Sequence, residues 1–496
     1  MNYILLGLTI VCNVFVAIFA DTDFLISTDY CKIPNFPAFS EETNLTYIPQ
    51  NYTKCSDFDL LTYTTVENNT AYLHIKKENE VHYSSGSELY CCYRYVTRKG
   101  SIDEPDVGIS LTDCRHFSNS VQLEGDIVMV ECYNKTTLVY ENVHNPIIIS
   151  NLSKKKISQR APPSYVTPIS VLIVVIDSIS RLNLERTMPN TKNVLLANGF
   201  TEFVGYNKID DNTFPNFAAL LSGLNLKQSL SICAPTKIGK LDECPMIWYD
   251  FRNKGYITAY AEDWASISTF NYFKKGFKDP PTDYYFKPFI EASETLYVTV
   301  KDTMPYCAGP ETQGERILNL AKDFSNTFRH HPSFGVFWMN TFSHNYINSP
   351  SGMDEKVKNF FQDLKQNGIL DKSVVILLSD HGIRFGQIRE TIQGWYEERL
   401  PANYISLPRW FKRRYPTKHA NFKKNANKLT STYDLYMTLQ DILNMSVDKF
   451  HYNISSSMAC TKCSSLFSEI PENRTCEDAG IPVEWCTCIG KFEKKL

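Results

Sequence analysis

The sequence predicts an α/β protein built on a doubly wound, mostly parallel sheet, with a disulfide-stapled β-rich N-terminal region and a cysteine-rich C-terminal tail. Three observations carry this expectation. Continuous β-branched apolar runs, Ser170–Ile176 and Ser373–Leu378, have the pattern of strands buried on both faces. Amphipathic helical stretches lie between them, around Thr191–Gly199, Gly314–Phe328 and Glu355–Asn367, giving the strand–helix alternation of a parallel sheet. Of fifteen cysteines, eleven cluster outside this body, six between Cys31 and Cys132 and five from Cys460 onward.

In chain order, residues 1–20 read as a signal peptide. An apolar run from Ile4 to Ala20 stops at Asp21, too short for a confident span. Its alternative is an uncleaved signal-anchor that tethers the chain to a membrane; no other stretch reaches membrane length. Cleavage after Ala20 removes Cys12 and leaves 14 cysteines, an even number suited to pairing in the secretory pathway. Eight Asn-x-Ser/Thr sequons, at Asn44, Asn51, Asn68, Asn134, Asn151, Asn444, Asn453 and Asn473, point the same way, and none falls between Asn151 and Asn444. The expected setting is extracellular or luminal.

Residues 21–160 form the cysteine-containing region, with short strand-type runs such as Ala71–Ile75 and Asp126–Val130. Lys154–Lys156 and Ala161–Pro163 read as a polar connector. The α/β domain is placed at 165–450 and the tail at 451–496, where five cysteines make an odd set. One of them is therefore expected to bridge to the central body, for which Cys233, Cys244 and Cys307 are available. Charge is nearly balanced, at −3 overall, which argues against a nucleic-acid partner, since such proteins carry a basic surplus.

The chemistry-bearing residues sit where the apolar strands end. The first run is followed by Asp177, the second by Ser379-Asp380-His381-Gly382, and Phe334–Met339 by His344. Ligands collect at the carboxyl ends of strands in such sheets, and carboxylates beside a buried sheet require a cation or several donors. An adjacent oxygen and nitrogen ligand pair suits Zn or Mn. Between these runs, Asp210–Gly223 describes a helix whose N-terminus lies beside Thr213, with Pro215 in its first turn. Such an N-terminus is an anion site, although Asn212 or Thr213 could equally serve as a plain N-cap.

In this order, the blocks Val174–Arg181, Asp211–Asn216, Ala261–Asp263, Lys275–Phe277, Pro281–Tyr284, Phe342–His344, Ser379–Gly386 and Gly394–Pro401 resemble the alkaline phosphatase/sulfatase superfamily, and more closely its secreted animal branch, defined by a domain of unknown function. The resemblance covers at least residues 165–445. It implies that Asp177, Thr213, Asp380 and His381 surround one divalent metal (Zn, Mn or Ca). It also implies that the Thr213 hydroxyl attacks a phosphoric or, less readily, sulfuric ester, and that His344 contacts the substrate oxygens or protonates the leaving group. Asp263, Arg384 and Arg399 are carried over as substrate-binding candidates, and Glu397 and Glu398 as neighbours of the cleft. The ester could be borne on a glycan or a lipid. Classical sulfatases oxidise a Cys or Ser followed by Pro and Arg; here Thr213 and Phe217 stand at those places, so phosphoryl chemistry is favoured. The second metal's Asp-x-x-x-His pair has no counterpart in the chain. The competing expectation is a catalytically silent extracellular glycoprotein that uses the same fold for binding.

Overall fold

A computed structural model describes residues 24–488 apart from 85, 87, 160–166, 448–451 and 453. The signal-peptide reading, the Ala161–Pro163 connector and the Asn453 sequon lie outside the described residues. The central sheet has seven strands: β1 Ser170–Ile176, β2 Thr201–Glu202, β3 Ile257–Glu262, β4 Tyr284–Tyr285, β5 Ser333–Met339, β6 Ser373–Leu378 and β7 Asn403–Ser406. Their order is β2-β7-β6-β1-β5-β3-β4. β6, β1, β5, β3 and β4 are mutually parallel, whereas β7 runs antiparallel to both of its neighbours. β1 lies at the centre, paired Val171↔Phe334 through Ile176↔Met339 on one side and Ser170↔Ser373 through Val175↔Leu378 on the other.

The period-two alternation of β1 explains why every one of its apolar side chains is buried. Val171, Ile173 and Val175 face one core with helix α3 (Thr213–Ser222, which follows α1 Arg181–Thr187 and α2 Pro189–Ala197 of this body) and the long helix Thr432–Met445, through Phe217, Leu221, Leu435 and Leu439. Leu172, Val174 and Ile176 face the other core with the helices Gln313–Thr327 and Asp354–Gln366, through Ile317, Phe324, Val357 and Phe361. Helices on both faces make the sheet doubly wound. The three helices expected around Thr191–Gly199, Gly314–Phe328 and Glu355–Asn367 are found at Pro189–Ala197, Gln313–Thr327 and Asp354–Gln366, whereas Arg181–Thr187, Ile247–Asn253 and Lys287–Ser293 were not anticipated.

The N-terminal region holds a five-stranded and a three-stranded antiparallel sheet over a core of its own, including Leu61, Leu73, Tyr93, Val130 and Tyr140. Lys154–Lys156 are not an open connector. They belong to a helix, Asn151–Gln159, begun by the Ser150 hydroxyl accepting from Ser153 N (3.1 Å), and Lys156 reaches Asp283 Oδ1 at 2.5 Å.

All fourteen cysteines from Cys31 onward pair: Cys31–Cys488, Cys55–Cys307, Cys91–Cys132, Cys92–Cys114, Cys233–Cys244, Cys460–Cys463 and Cys476–Cys486. The odd tail cysteine therefore bridges to the N-terminal arm, not to the central body. The reason is packing: Ile26 and Ile33 of the arm share one core with Leu466, Phe467, Ile470 and Ile481 of the tail, so the arm and the tail lie on the same face. Arg474 ties the tail down further, gripping Asp434 with two hydrogen bonds of 2.8 Å in a buried pair. Among the described residues no helix is long and apolar enough to cross a membrane. Of the sequon asparagines, Asn44, Asn51, Asn68, Asn151 and Asn473 are exposed, and Asn134 and Asn444 are half-buried.

Candidate active site

Four parallel strands in a row, β6, β1, β5 and β3, deliver their carboxyl ends to one place. Asp177 follows β1, with its N–H still bonded to Met339 O (2.9 Å). The next residue, Ser178, has φ +60°, a left-handed conformation that costs a residue with a Cβ on the order of 1 kcal/mol. Its bonds hold it there: Ser178 N donates to Asp380 Oδ1 (3.3 Å) and Ser178 Oγ to Asp177 Oδ1 (2.8 Å). This turn joins the ends of β1 and β6, and Ile179 N adds a bond to Ser379 Oγ (3.0 Å).

Asp177, Asp380 and His381 are all buried and place one ligand atom each within 4.8 Å of one another. The ring of His381 is oriented by the Gly382 carbonyl, 2.9 Å from Nδ1. A carbonyl only accepts, so Nδ1 carries the proton and Nε2 presents a bare lone pair. That lone pair faces Asp380 Oδ2 at 3.2 Å and Asp177 Oδ1 at 3.9 Å. Both Asp380 Oδ2 and His381 Nε2 are buried without a hydrogen-bond partner. Acceptors facing acceptors in a dry place call for a shared proton or a bound cation between them. Burial opposes a proton in that role on the imidazole, since it holds His381 down at about 3, and it pushes the Asp380 carboxyl above its ordinary range.

Thr213 is the first residue of α3, and Asn212 before it is extended and makes no side-chain cap. A plain N-cap is thus not what this segment forms. Asn216 seals the loop instead, donating to Asp210 O and Asn212 O (2.9 Å each) and accepting from Ile209 N. The Thr213 hydroxyl is turned to the cluster, donating to Asp177 Oδ2 at 3.2 Å. The same oxygen accepts from Trp338 Nε1 (3.2 Å), and the Trp338 ring packs on Phe217 of α3 at 4.7 Å. The structure therefore brings Asp177, Thr213, Asp380 and His381 together.

The other expected residues fall elsewhere. His344 is half-buried beside this end of the sheet, with Nδ1 2.6 Å from Asn345 Oδ1 and its ring 5.6 Å from that of Phe385. Arg384 pairs with Asp211 Oδ2 at 3.4 Å, in the loop that leads to Thr213. Asp263 does not face a cleft: it is fully buried and accepts from Asn340 N (2.9 Å), Thr341 N (3.0 Å) and Thr341 Oγ1 (2.6 Å). It holds the start of the His344 loop. Arg399 is spent internally on Glu398 Oε2 (2.7 Å), Trp395 O (3.1 Å) and Glu484 O (3.1 Å), and lies over the Trp395 ring. Neither geometry suits substrate binding. Glu397 and Glu398 likewise serve buried ion pairs, with Arg186 and with Lys208.

Residues not anticipated from sequence are Ser178, Trp338, Asn216, Lys208 and Lys274. Lys208 is buried, donating to Glu398 Oε1 (2.9 Å) and to Asp211 O (3.1 Å), so it anchors the loop that carries Thr213. Burial lowers its ammonium to about 8. Lys274 lies 4.3 Å from the Phe214 ring in the first turn of α3. Ser178 and Asn216 stood inside the motif blocks and could have been read there; Lys208 stands five residues before Thr213, whereas Lys274 is close only in space.

Two results are expected here. A Cβ on Gly382 would meet Glu397 O at 2.0 Å, so Gly382→Ala must displace the Asp380–Gly382 turn. It should destabilise the fold by about 1–3 kcal/mol, seen as a lower denaturation midpoint. Glu262, buried at the end of β3 and accepting from Thr269 N (2.9 Å), is raised by burial to about 7. The folded state thus binds its proton more tightly than the unfolded chain, whose carboxyl titrates near 4.5. The stability it contributes is present in full below that value and is lost as pH rises toward 7. Glu262→Gln should therefore gain on wild type between pH 5 and 8, measured by urea denaturation at both.

The sequence profile of the family described as "Protein of unknown function (DUF229)" matches residues 48–495. The chain belongs to this family. No curated protein matches the sequence. Among solved structures, the lipoteichoic acid synthase LtaP from Listeria monocytogenes is 14% identical, with 61% of this chain and 80% of LtaP covered at a TM-score of 0.40. A protein in the alkaline phosphatase superfamily from Vibrio parahaemolyticus is 15% identical, over 63% of this chain and 74% of its own, at 0.40. The C-terminal periplasmic domain of EcEptC from Escherichia coli is 13% identical, over 65% and 98%, at 0.40.

Proposed function

We propose that this DUF229 protein is a metal-dependent hydrolase or transferase of phosphoric esters that uses Thr213 as its nucleophile. The observation that supports it is the convergence of Asp177 with Asp380 Oδ2 and His381 Nε2, the latter two being acceptors without a donor, on the side of the Thr213 hydroxyl at a helix N-terminus. The donor set of carboxylate oxygens, one imidazole nitrogen and a hydroxyl fits one divalent cation such as Zn or Mn. When bound, that cation would lower the hydroxyl's pKa and neutralise charge on the ester oxygens.

The chain's own groups account for the rest. Trp338 and Ser178 fix the Asp177 carboxylate, and Asp177 Oδ2 accepts the Thr213 proton, so the oxygen is aimed before substrate arrives. Attack of Oγ1 on phosphorus breaks the bond to the leaving alkoxide, which takes a proton, and leaves phospho-Thr213. Water or a second alcohol then cleaves the Thr213–phosphate bond and restores the hydroxyl. The free N–H groups of the first turn of α3, not taken by a side-chain cap, face the phosphoryl oxygens.

The test is metal analysis of the purified protein, with hydrolysis of bis(p-nitrophenyl) phosphate, p-nitrophenyl phosphate and p-nitrophenyl sulfate by wild type and Thr213→Ala. About one bound metal is expected, with phosphate-ester turnover reduced at least ~10³-fold by the substitution. A metal-free wild type no more active than the variant would leave a binding protein on this fold.

A further inference from the structure

We propose that the face at the opposite pole of the sheet from Thr213 is a docking surface for a polyanionic polysaccharide, a glycan bearing sulfate or carboxylate groups at regular spacing. Between Pro401 and Tyr433 the chain carries eight lysines and arginines and no Asp or Glu, in a protein whose overall charge is −3. Six of the eight lie in two helices, Phe411–Arg414 and Pro416–Asn425. They turn Phe411 and Phe422 into the core and leave Lys412, Arg413, Lys423 and Lys424 exposed. Acidic partners are few: Arg409 pairs with Asp371 (3.3 Å) and Lys418 with Asp441 (2.6 Å), Glu469 and Glu472 share a groove with Lys424 and Lys428, and Lys423 donates to a neutral hydroxyl, Thr201 Oγ1 (2.7 Å).

The positive field continues onto the adjoining loops. Arg329, His330, Lys372 and Trp410 line one cleft, where Lys372 Nζ and Arg329 Nε each lie 3.0 Å from a ring nitrogen of His330. Two histidines register this field. Lys372 and then Arg329 hold His330 below its ordinary range, and His419 is lowered by burial and by Lys423 and Lys412. Arg329–His331 and Lys372 precede β5 and β6, whereas Asp177, Asp380 and His381 follow strand ends. A six-residue strand separates the two poles by roughly 20 Å, so the surface is distinct from the nucleophile's site and does not depend on the ester-transfer reading.

The class of occupant follows from what accompanies the charge. A bilayer-binding surface adds apolar side chains that insert among acyl chains. Among the described residues no large hydrophobic side chain is exposed between Phe385 and Ile454. Seven disulfides place the folded chain in an oxidising compartment, where acidic glycans, and not nucleic acids, are the prevalent polyanions. Fixed cations in such an array gain affinity by displacing counterions from the polymer.

The test compares binding of heparin and chondroitin sulfate with that of phosphatidylserine vesicles and duplex DNA, using the full-length protein. The variant Lys412→Glu/Arg413→Glu/Lys424→Glu is set against Lys54→Glu/Lys227→Glu/Lys237→Glu, an equal charge change at exposed positions elsewhere. Heparin affinity at 0.15 M NaCl should fall about tenfold or more in the first and less than about twofold in the second, with a shallower salt dependence in the first alone. Hydrogen exchange on wild type, requiring no variant to fold, should show heparin protection over residues 409–428. Equal weakening by both variants, absence of protection there, or tighter binding to vesicles or DNA than to the glycans overturns the proposal.

Discussion

Asp380→Asn should abolish metal uptake and lower phosphate-ester turnover by at least ~10³-fold, while leaving the metal-free fold as stable as wild type or more so. The two halves have one cause. Asp380 Oδ1 accepts from Ser178 N, a bond an amide oxygen can keep. Oδ2 faces His381 Nε2 with no donor between them. An amide places an N–H at that position and satisfies the imidazole lone pair, relieving a buried unpaired group worth about 1–3 kcal/mol. The same N–H removes the negative charge and the lone pair that a cation needs. Loss of a supporting partner typically costs a metal site 10–100-fold in affinity, and loss of a ligand should exceed that. The checks are metal content after dialysis, turnover of bis(p-nitrophenyl) phosphate, and urea denaturation in chelator. A variant that binds metal as wild type does would show that the cluster is not a metal site. A variant destabilised only without metal would show that Asp380 serves the fold.

Glu397→Ala should cost about 3–5 kcal/mol of stability, the largest effect expected of a single substitution away from the proposed metal site. Arg186 and Glu397 are both 1% exposed and bonded bidentately, Nη1–Oε1 at 2.8 Å and Nη2–Oε2 at 2.5 Å. Glu397 also accepts from Ser180 Oγ (2.7 Å) and Gln393 Nε2 (2.8 Å), and Arg186 donates to Ala38 O (2.8 Å). The pair therefore ties together the helix after β1, the Ile392–Arg399 helix and the N-terminal arm. Removing the carboxylate strands a buried guanidinium. Replacing both partners, Arg186→Met with Glu397→Leu, should recover much of the loss, because no charge is then buried unpaired. Equilibrium denaturation of the three variants measures this, and a double variant no better than Glu397→Ala would place the cost in packing instead.

The legible parts of this protein were those set by local pattern. The buried strands β1 and β6 announce themselves as unbroken β-branched runs, and Asp177, Asp380 and His381 follow them directly, so their position at the strand ends was readable. Thr213 at the start of α3 was readable from Pro215 and the apolar turn behind it. By contrast, Asp263 and Arg399 stand in blocks as suggestive as any of these, yet one is spent on Asn340 and Thr341 and the other on Glu398 and Trp395. A motif names a residue's neighbourhood and leaves open whether its charge points outward or is consumed inside.

Strand and helix were determined by the sequence itself, because apolar periodicity acts over a few residues. Tertiary structure alone decided which cysteine meets Cys488, which cations reach Glu397 and Glu398, and that His381 Nε2 faces two carboxylates without a donor. Those facts depend on side chains brought together across as many as 457 residues. Such contacts are selected by the packing of whole layers, and no local propensity encodes them.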